Sequence, residues 1–155
     1  MANPKGSDWY DSDGAGQLGS DVASKVVTFA GGVGTGAVGA ISLFTVTGAV
    51  AFNLTAICTV ILATQAGATI SVGTPAAVAG IIGVTTGVDI DAGDIWFAAA
   101  PATVLDTIAN ALLEFVIGDG ADIQANVLVD AIDTGAIEFR CFWTPLTTGA
   151  TVVAA

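Results

Sequence analysis

Side chains that could do chemistry are few in this sequence, and their spacing argues against most reaction classes. There is no histidine, so Ser-His-Asp and Cys-His catalysis in their usual forms and His-ligated metals are excluded. The three basic residues, Lys5, Lys25 and Arg140, are too far apart in sequence to form a clamp for phosphoryl transfer. Gly34-Thr35-Gly36-Ala37-Val38-Gly39 matches G-x-G-x-x-G, but a dinucleotide site needs a helix next and an acid about 20 residues on. The strand-like Ile41-Ser42-Leu43-Phe44-Thr45-Val46 comes after it instead, and the next acid is Asp89, so the match reads as a loop.

Two clusters of carboxylates could offer hard oxygen ligands to Ca²⁺: Asp8, Asp11 and Asp13 before Gly14, and Asp89, Asp91 and Asp94 around Gly93. Neither has the twelve-residue loop ending in a bidentate Glu, and turn-forming Asp is the commoner use of this pattern. A glycosidase pair would need two carboxylates facing across a cleft, and besides the turn aspartates only Glu114 and Glu138 are available. No catalytic residue, cofactor or metal site is therefore expected, and the chain reads as a non-enzyme. Cys58 and Cys141 each share an alternating face with large apolar residues, which predicts buried small hydrophobes; whether they bond is open. Trp96 and Trp143 stand in strand-like context as core or interface anchors, and a sugar-stacking platform would find only Phe97 in support.

The elements carrying these residues are short and β-prone. Hydrophobic residues make up 54% of the chain and charged ones 11%, and the excess is Ala, Gly, Val and Thr rather than Leu. That composition favours thin, closely packed β-layers. Candidate strands are Val26–Phe29, Ile41–Val46, Val50–Leu62, Thr69–Val72, Ile81–Thr85, Ile95–Phe97, Leu113–Ile117, Ile123–Val129 and Ala136–Trp143. In the long third run Phe52, Leu54, Ala56, Cys58, Val60 and Leu62 share one face, a period of two. Residues 103–111 hold the one expected helix. The fold class is all-β, a two-sheet antiparallel sandwich of jelly-roll type over residues 25–155. Residues 1–24, rich in Asp, Gly and Ser, read as an extended N-terminal arm. Trp9 and Tyr10 are its two aromatics, docking on their own domain or on a neighbour; with Trp96 and Phe97 they are the expected interface residues.

Charge is both lopsided and segregated. Net charge is −11, which excludes a groove tracking a phosphate backbone and attraction to anionic lipid, so neither nucleic acid nor membrane is an expected partner. Val26 to Val88 is sixty-three residues without one charge. Ala37–Ala63 is long enough to span a bilayer, but its apolar residues alternate and it lacks flanking Lys and Arg. The preferred reading shields both faces of these strands, one by the core and one by neighbouring subunits. Met1–Asp8 is polar with no apolar run after it, so no secretory leader is expected.

Ile41 to Gly48, Ala68-Thr69-Ile70-Ser71-Val72-Gly73-Thr74, Thr85-Thr86, Asp89 to Trp96 and Phe142-Trp143-Thr144-Pro145-Leu146 together resemble short, mostly uncharacterised virion proteins of tailed bacteriophages, over about residues 40–150. The resemblance implies a β-sandwich that decorates or cements a capsid from its outer surface. Its partners would be the major capsid protein lattice and copies of itself, a homo-oligomer and by analogy with head-decorating proteins a trimer. It carries over no catalytic residues. The alternative is a tail or fibre module that binds a host receptor or glycan.

Overall fold

A computed structural model of the chain describes residues 21–64, 67–97 and 114–155. These form ten strands and a short 3-10 turn at Gly87–Asp89. The strands are β1 (Asp21–Phe29), β2 (Gly39–Thr47), β3 (Val50–Thr64), β4 (Thr69–Thr74), β5 (Ala77–Thr86), β6 (Ile95–Trp96), β7 (Phe115–Ile117), β8 (Ile123–Leu128), β9 (Ile132–Pro145) and β10 (Thr151–Ala154). Every named pairing is antiparallel. The first sheet runs β1-β9-β3-β6, with β7 also on β3, and the second runs β10-β2-β8-β4-β5. The chain is thus an all-β, two-sheet antiparallel sandwich.

The pairing is nested. β4 pairs with β5, β3 with β6, β2 with β8 and β1 with β9, so the two arms of the chain form one long antiparallel ribbon folded about the β4–β5 turn. Rolling that ribbon sends alternate pairs to opposite sheets. Strand β10 extends the second sheet beyond β2 and lies against β1, which draws the two sheets together along that side. Lys25 points inward on β1, and its Nζ donates to the Ala155 carbonyl oxygen. An inward lysine on an edge strand is one way to discourage edge-to-edge pairing.

The core obeys the period-two pattern. From the first sheet come Val27, Phe29, Phe52, Leu54, Cys58, Ile137, Phe139, Cys141 and Trp143. Ile41, Phe44, Ile70, Val72, Ile82, Ile123, Val127 and Val152 meet them from the second. Full burial of such a side chain contributes roughly 1.5–3 kcal/mol, so the alternation fixes which way each strand faces. Register shifts in β2, β3 and the β4–β5 pair break it, and two of them change which side chains are buried. Between Ser42 and Phe44 the β2 register shifts, so that Leu43 and Phe44 are both buried. Between Cys58 and Val60 the β3 register shifts against β9, and Val60, expected on the core face, is 52% exposed.

Two boundaries differ from expectation. β1 begins at Asp21, so the arm-to-domain boundary at residue 24 falls inside a strand whose first residues pair with Trp143, Phe142, Cys141 and Arg140. β10 is not among the expected strands: four small residues give a weak strand signal, and its formation depends on pairing with β2. The expected helix at 103–111, with Leu113 of the expected seventh strand, lies outside the described residues, as do Trp9 and Tyr10. Among the described residues no helix is long and apolar enough to cross a membrane.

Candidate interaction surface

The sites suggested by chemistry resolve first. Gly34, Gly36 and Gly39 have φ of 73°, 132° and 140°, values that L side chains rarely adopt. A Cβ on Gly36 would sit 2.1 Å from the Ile132 carbonyl oxygen, so the position needs glycine for packing as well as for backbone geometry. Two of the loop's amides are already used, Thr35 and Ala37 both donating to the Gly32 carbonyl, and the Gly36 carbonyl accepts from the Ile132 amide. Strand β2 comes next instead of a helix. Nothing here is arranged to receive a pyrophosphate.

Asp89, Asp91 and Asp94 belong to the β5–β6 connection. Asp94 is buried, its Oδ2 accepting from the Asp91 amide at 2.9 Å while its own amide donates to the Asp91 carbonyl at 3.0 Å. That is a side chain locking its own turn. Among the described residues no group of three or more His, Cys, Asp or Glu side chains could hold a metal; Asp8, Asp11 and Asp13 lie outside them. Glu138 accepts from Arg140 Nε at 2.8 Å, and this hydrogen bond holds its carboxyl below the usual range. A glycosidase acid needs the opposite shift, so Glu138 is a poor proton donor.

Cys58 and Cys141 are buried free thiols. On the β3–β9 ladder Cys58 is opposite Ile137 and Cys141 is opposite Leu54, which sets the cysteines four residues apart along the strands, roughly 13 Å. A disulfide cannot bridge that distance. Burial pushes the Cys58 thiol up to about 11, with help from the nearby Asp94 carboxylate, and the Cys141 thiol up to about 12. Both stay protonated at neutral pH, which makes them poor nucleophiles.

The aromatic interface residues divide. Trp96 is fully buried, donates from Nε1 to Thr85 Oγ1 at 2.9 Å and meets Phe139 edge-on at 6.3 Å. It is a core residue; its position in a two-residue strand facing the second sheet removes it from the expected interface set. Phe97, next along, is half-buried. Trp143 is also a core residue, so the described residues include no exposed tryptophan on which a sugar could stack.

What the fold does present is two faces almost free of charge. Strands β2, β4, β5, β8 and β10 carry no Asp, Glu, Lys or Arg, so the whole second sheet is neutral. On the outer face of the first sheet three rows run across β1, β9 and β3: Val22–Phe142–Asn53, Ser24–Arg140–Thr55 and Val26–Glu138–Ile57. The charges in these rows are Arg140 and Glu138, and they neutralise each other. Val22 and Val26 are 56% and 58% exposed, and Val116 on β7 extends the apolar strip at 65%. Most of the described acids lie in loops instead, with Asp89, Asp91, Asp94, Asp119, Asp122 and Asp130 between strands, while Asp21 and Asp133 stand at the starts of β1 and β9.

Sequence reasoning misses this surface, although a signal is there. Glu138 and Arg140 are two apart on an alternating strand, and so share a face. Val22, Ser24, Val26 and Thr28 alternate with the buried Ala23 and Val27 in the same way. Comparison of the chain with family models, with curated proteins and with solved structures found no match.

Proposed function

We propose that this chain is a non-enzymatic structural module that decorates and stabilises a bacteriophage capsid, acting as a homo-oligomer on the outer surface of the major capsid protein lattice. The observation that carries this reading is the separation of charge from sheet surface. A chain of net charge −11 keeps its second sheet free of ionisable side chains, and the three rows across the first sheet's outer face hold a self-neutralised pair. Interface centres are depleted of charge in this way, while solvated acids on connecting loops keep a crowded particle surface soluble. Each 100 Å² of apolar surface buried between subunits contributes roughly 2.5 kcal/mol before association costs.

The strand order supports the same reading. Four nested pairs, β1·β9, β2·β8, β3·β6 and β4·β5, rolled into two facing sheets are the arrangement of a jelly roll, which we infer for this domain. Jelly rolls serve in capsids and in lectins alike, so the surface rather than the fold decides between them. Among the described residues the tryptophans are buried and no carboxylate cluster faces an exposed aromatic, which weighs against the glycan-binding alternative.

The test uses capsid particles assembled without this protein. Added protein is expected to bind in stoichiometric amounts and to raise the temperature at which the particles rupture. Absence of both effects removes the decoration reading.

A further inference from the structure

The charged pair on the outer face of the first sheet is its own complement. Glu138 and Arg140 stand two residues apart on β9, so they project from the same side of the strand. β9 is the middle strand of that face, flanked by β1 and β3. The bond between Arg140 Nε and Glu138 Oε1 engages one of the guanidinium's five N–H donors and one carboxylate oxygen. Each group can therefore bond a facing chain without breaking it. Both reach solvent, the Arg140 side chain at 45% exposure and that of Glu138 at 23%.

We infer that this face pairs with the same face of a second copy, about a two-fold axis that lies in the interface and runs across the strands. The inference rests on the reading of the chain as a homo-oligomer and names the contact that forms it. Overlap is largest when β9 of one copy stacks on β9 of the other, and two in-plane axes achieve that. An axis along the strands sets Glu138 on Glu138 and Arg140 on Arg140, two like-charge contacts that disfavour it. An axis across the strands at the level of Phe139 reverses β9 over its copy. Glu138 of each chain then lies over Arg140 of the other, and both charges gain an opposite neighbour.

Side-chain size fits the same axis. Reversal about Phe139 sets Phe142 over Ala136 of the second copy, a half-buried aromatic ring over the smallest side chain on that face of β9. On β1 it sets Val26, 58% exposed, over Ser24, whose Cα partner on β9 is Arg140. Stacked sheets lie about 10 Å apart, a gap that large and small side chains fill by interdigitating. A two-fold contact closes on two copies, so any larger oligomer of this chain must use a second surface.

The experiment uses two variants of opposite charge. Glu138→Arg makes the face doubly positive and Arg140→Glu makes it doubly negative; circular dichroism checks that each stays folded. Each alone is expected to self-associate at least about tenfold more weakly than the wild type, because like charges then meet like. Mixed in equal amounts, they are expected to form a 1:1 heterodimer at least about tenfold tighter than either homodimer, as each positive face meets a negative one. The variants differ in mass, so native mass spectrometry separates the heterodimer from the homodimers. The double variant Glu138→Arg with Arg140→Glu restores a self-complementary face and is expected to associate to within about threefold of the wild type. Single variants that associate as tightly as the wild type overturn the inference. A mixture no tighter than its components overturns it equally, since a face that docks on a different surface of its neighbour gains nothing from mixing. Capsid binding by wild-type protein alongside failed mixing removes this pairing and leaves the decoration reading in place.

Discussion

Trp96 and Thr85 hold the two sheets together through a buried hydrogen bond, the indole Nε1 on β6 donating to Thr85 Oγ1 on β5 at 2.9 Å. Both residues are shut off from solvent, so neither can turn to water if the other is lost. The bond also fixes the indole that meets the Phe139 ring edge-on.

Replacing Thr85 by Val keeps the shape and leaves the indole N–H without its acceptor. The expected cost is about 1–3 kcal/mol, read as a fall of roughly 2–4 °C in Tm per kcal/mol for a chain of this size. Trp96→Phe in the same background is expected to show non-additivity, since the second change removes the stranded donor. Full additivity in thermal melts would mean the bond is not formed.

A second prediction comes from a close backbone approach. At Gly73 a Cβ would lie 1.9 Å from the Ala77 carbonyl oxygen, because the start of β5 folds tightly back over β4. The same fold lets the Val78 carbonyl accept from Ser71 Oγ and Asn126 Nδ2, which satisfies two buried polar groups on the second sheet. Gly73→Ala is expected to destabilise by about 2–4 kcal/mol. Denaturant melts giving an unchanged midpoint would show that the hairpin sits further from β4.

The thiols predict how stability varies with pH. Unfolded cysteines ionise near 9.0, while burial keeps Cys58 protonated to about 11 and Cys141 to about 12. Between those values the unfolded chain binds fewer protons than the folded one, so stability is complete below about pH 9 and falls as pH rises. Cys58→Ala and Cys141→Ala are each expected to lower stability at neutral pH yet flatten its decline above pH 9. Rapid labelling of either thiol in the folded protein at neutral pH would contradict the burial on which this rests.

Metal removal is the fourth check. Asp94 is committed to the Asp91 amide, so the β5–β6 turn closes without a cation. EDTA is expected to leave Tm unchanged, and a large loss would mean that a bound cation stabilises the folded chain.

Legibility in the sequence tracks how local each cause is. β8 and β9 are readable because their alternation is unbroken over most of their length, and the same alternation puts Cys58 and Cys141 on the core face, where the structure has them. The pattern misplaces Val60 because a register shift against β9 is a property of the pair, invisible in β3 alone. Trp96 reads as an interface residue because a tryptophan beside an acidic turn carries no sign of which way it faces; its partner Thr85 comes from the other sheet. The long uncharged stretch Val26–Val88 is visible at once, but not its division between the sheets, since consecutive strands β1 to β4 alternate from one sheet to the other. The neutral outer face with its Glu138–Arg140 pair emerges only once β1, β9 and β3 lie side by side.

Association through that face is the central claim, and sedimentation velocity over a wide concentration range tests it most directly. Wild-type protein is expected to sediment as a discrete homo-oligomer. Val26→Asp places an unpaired carboxylate beside Glu138 on an exposed position, and Arg140→Glu turns the neutral pair into two like charges. Each is expected to shift the protein towards monomer while its circular dichroism and Tm stay close to those of the wild type. A wild-type protein that remains monomeric at every concentration, or variants that associate as well as it does, would contradict the account.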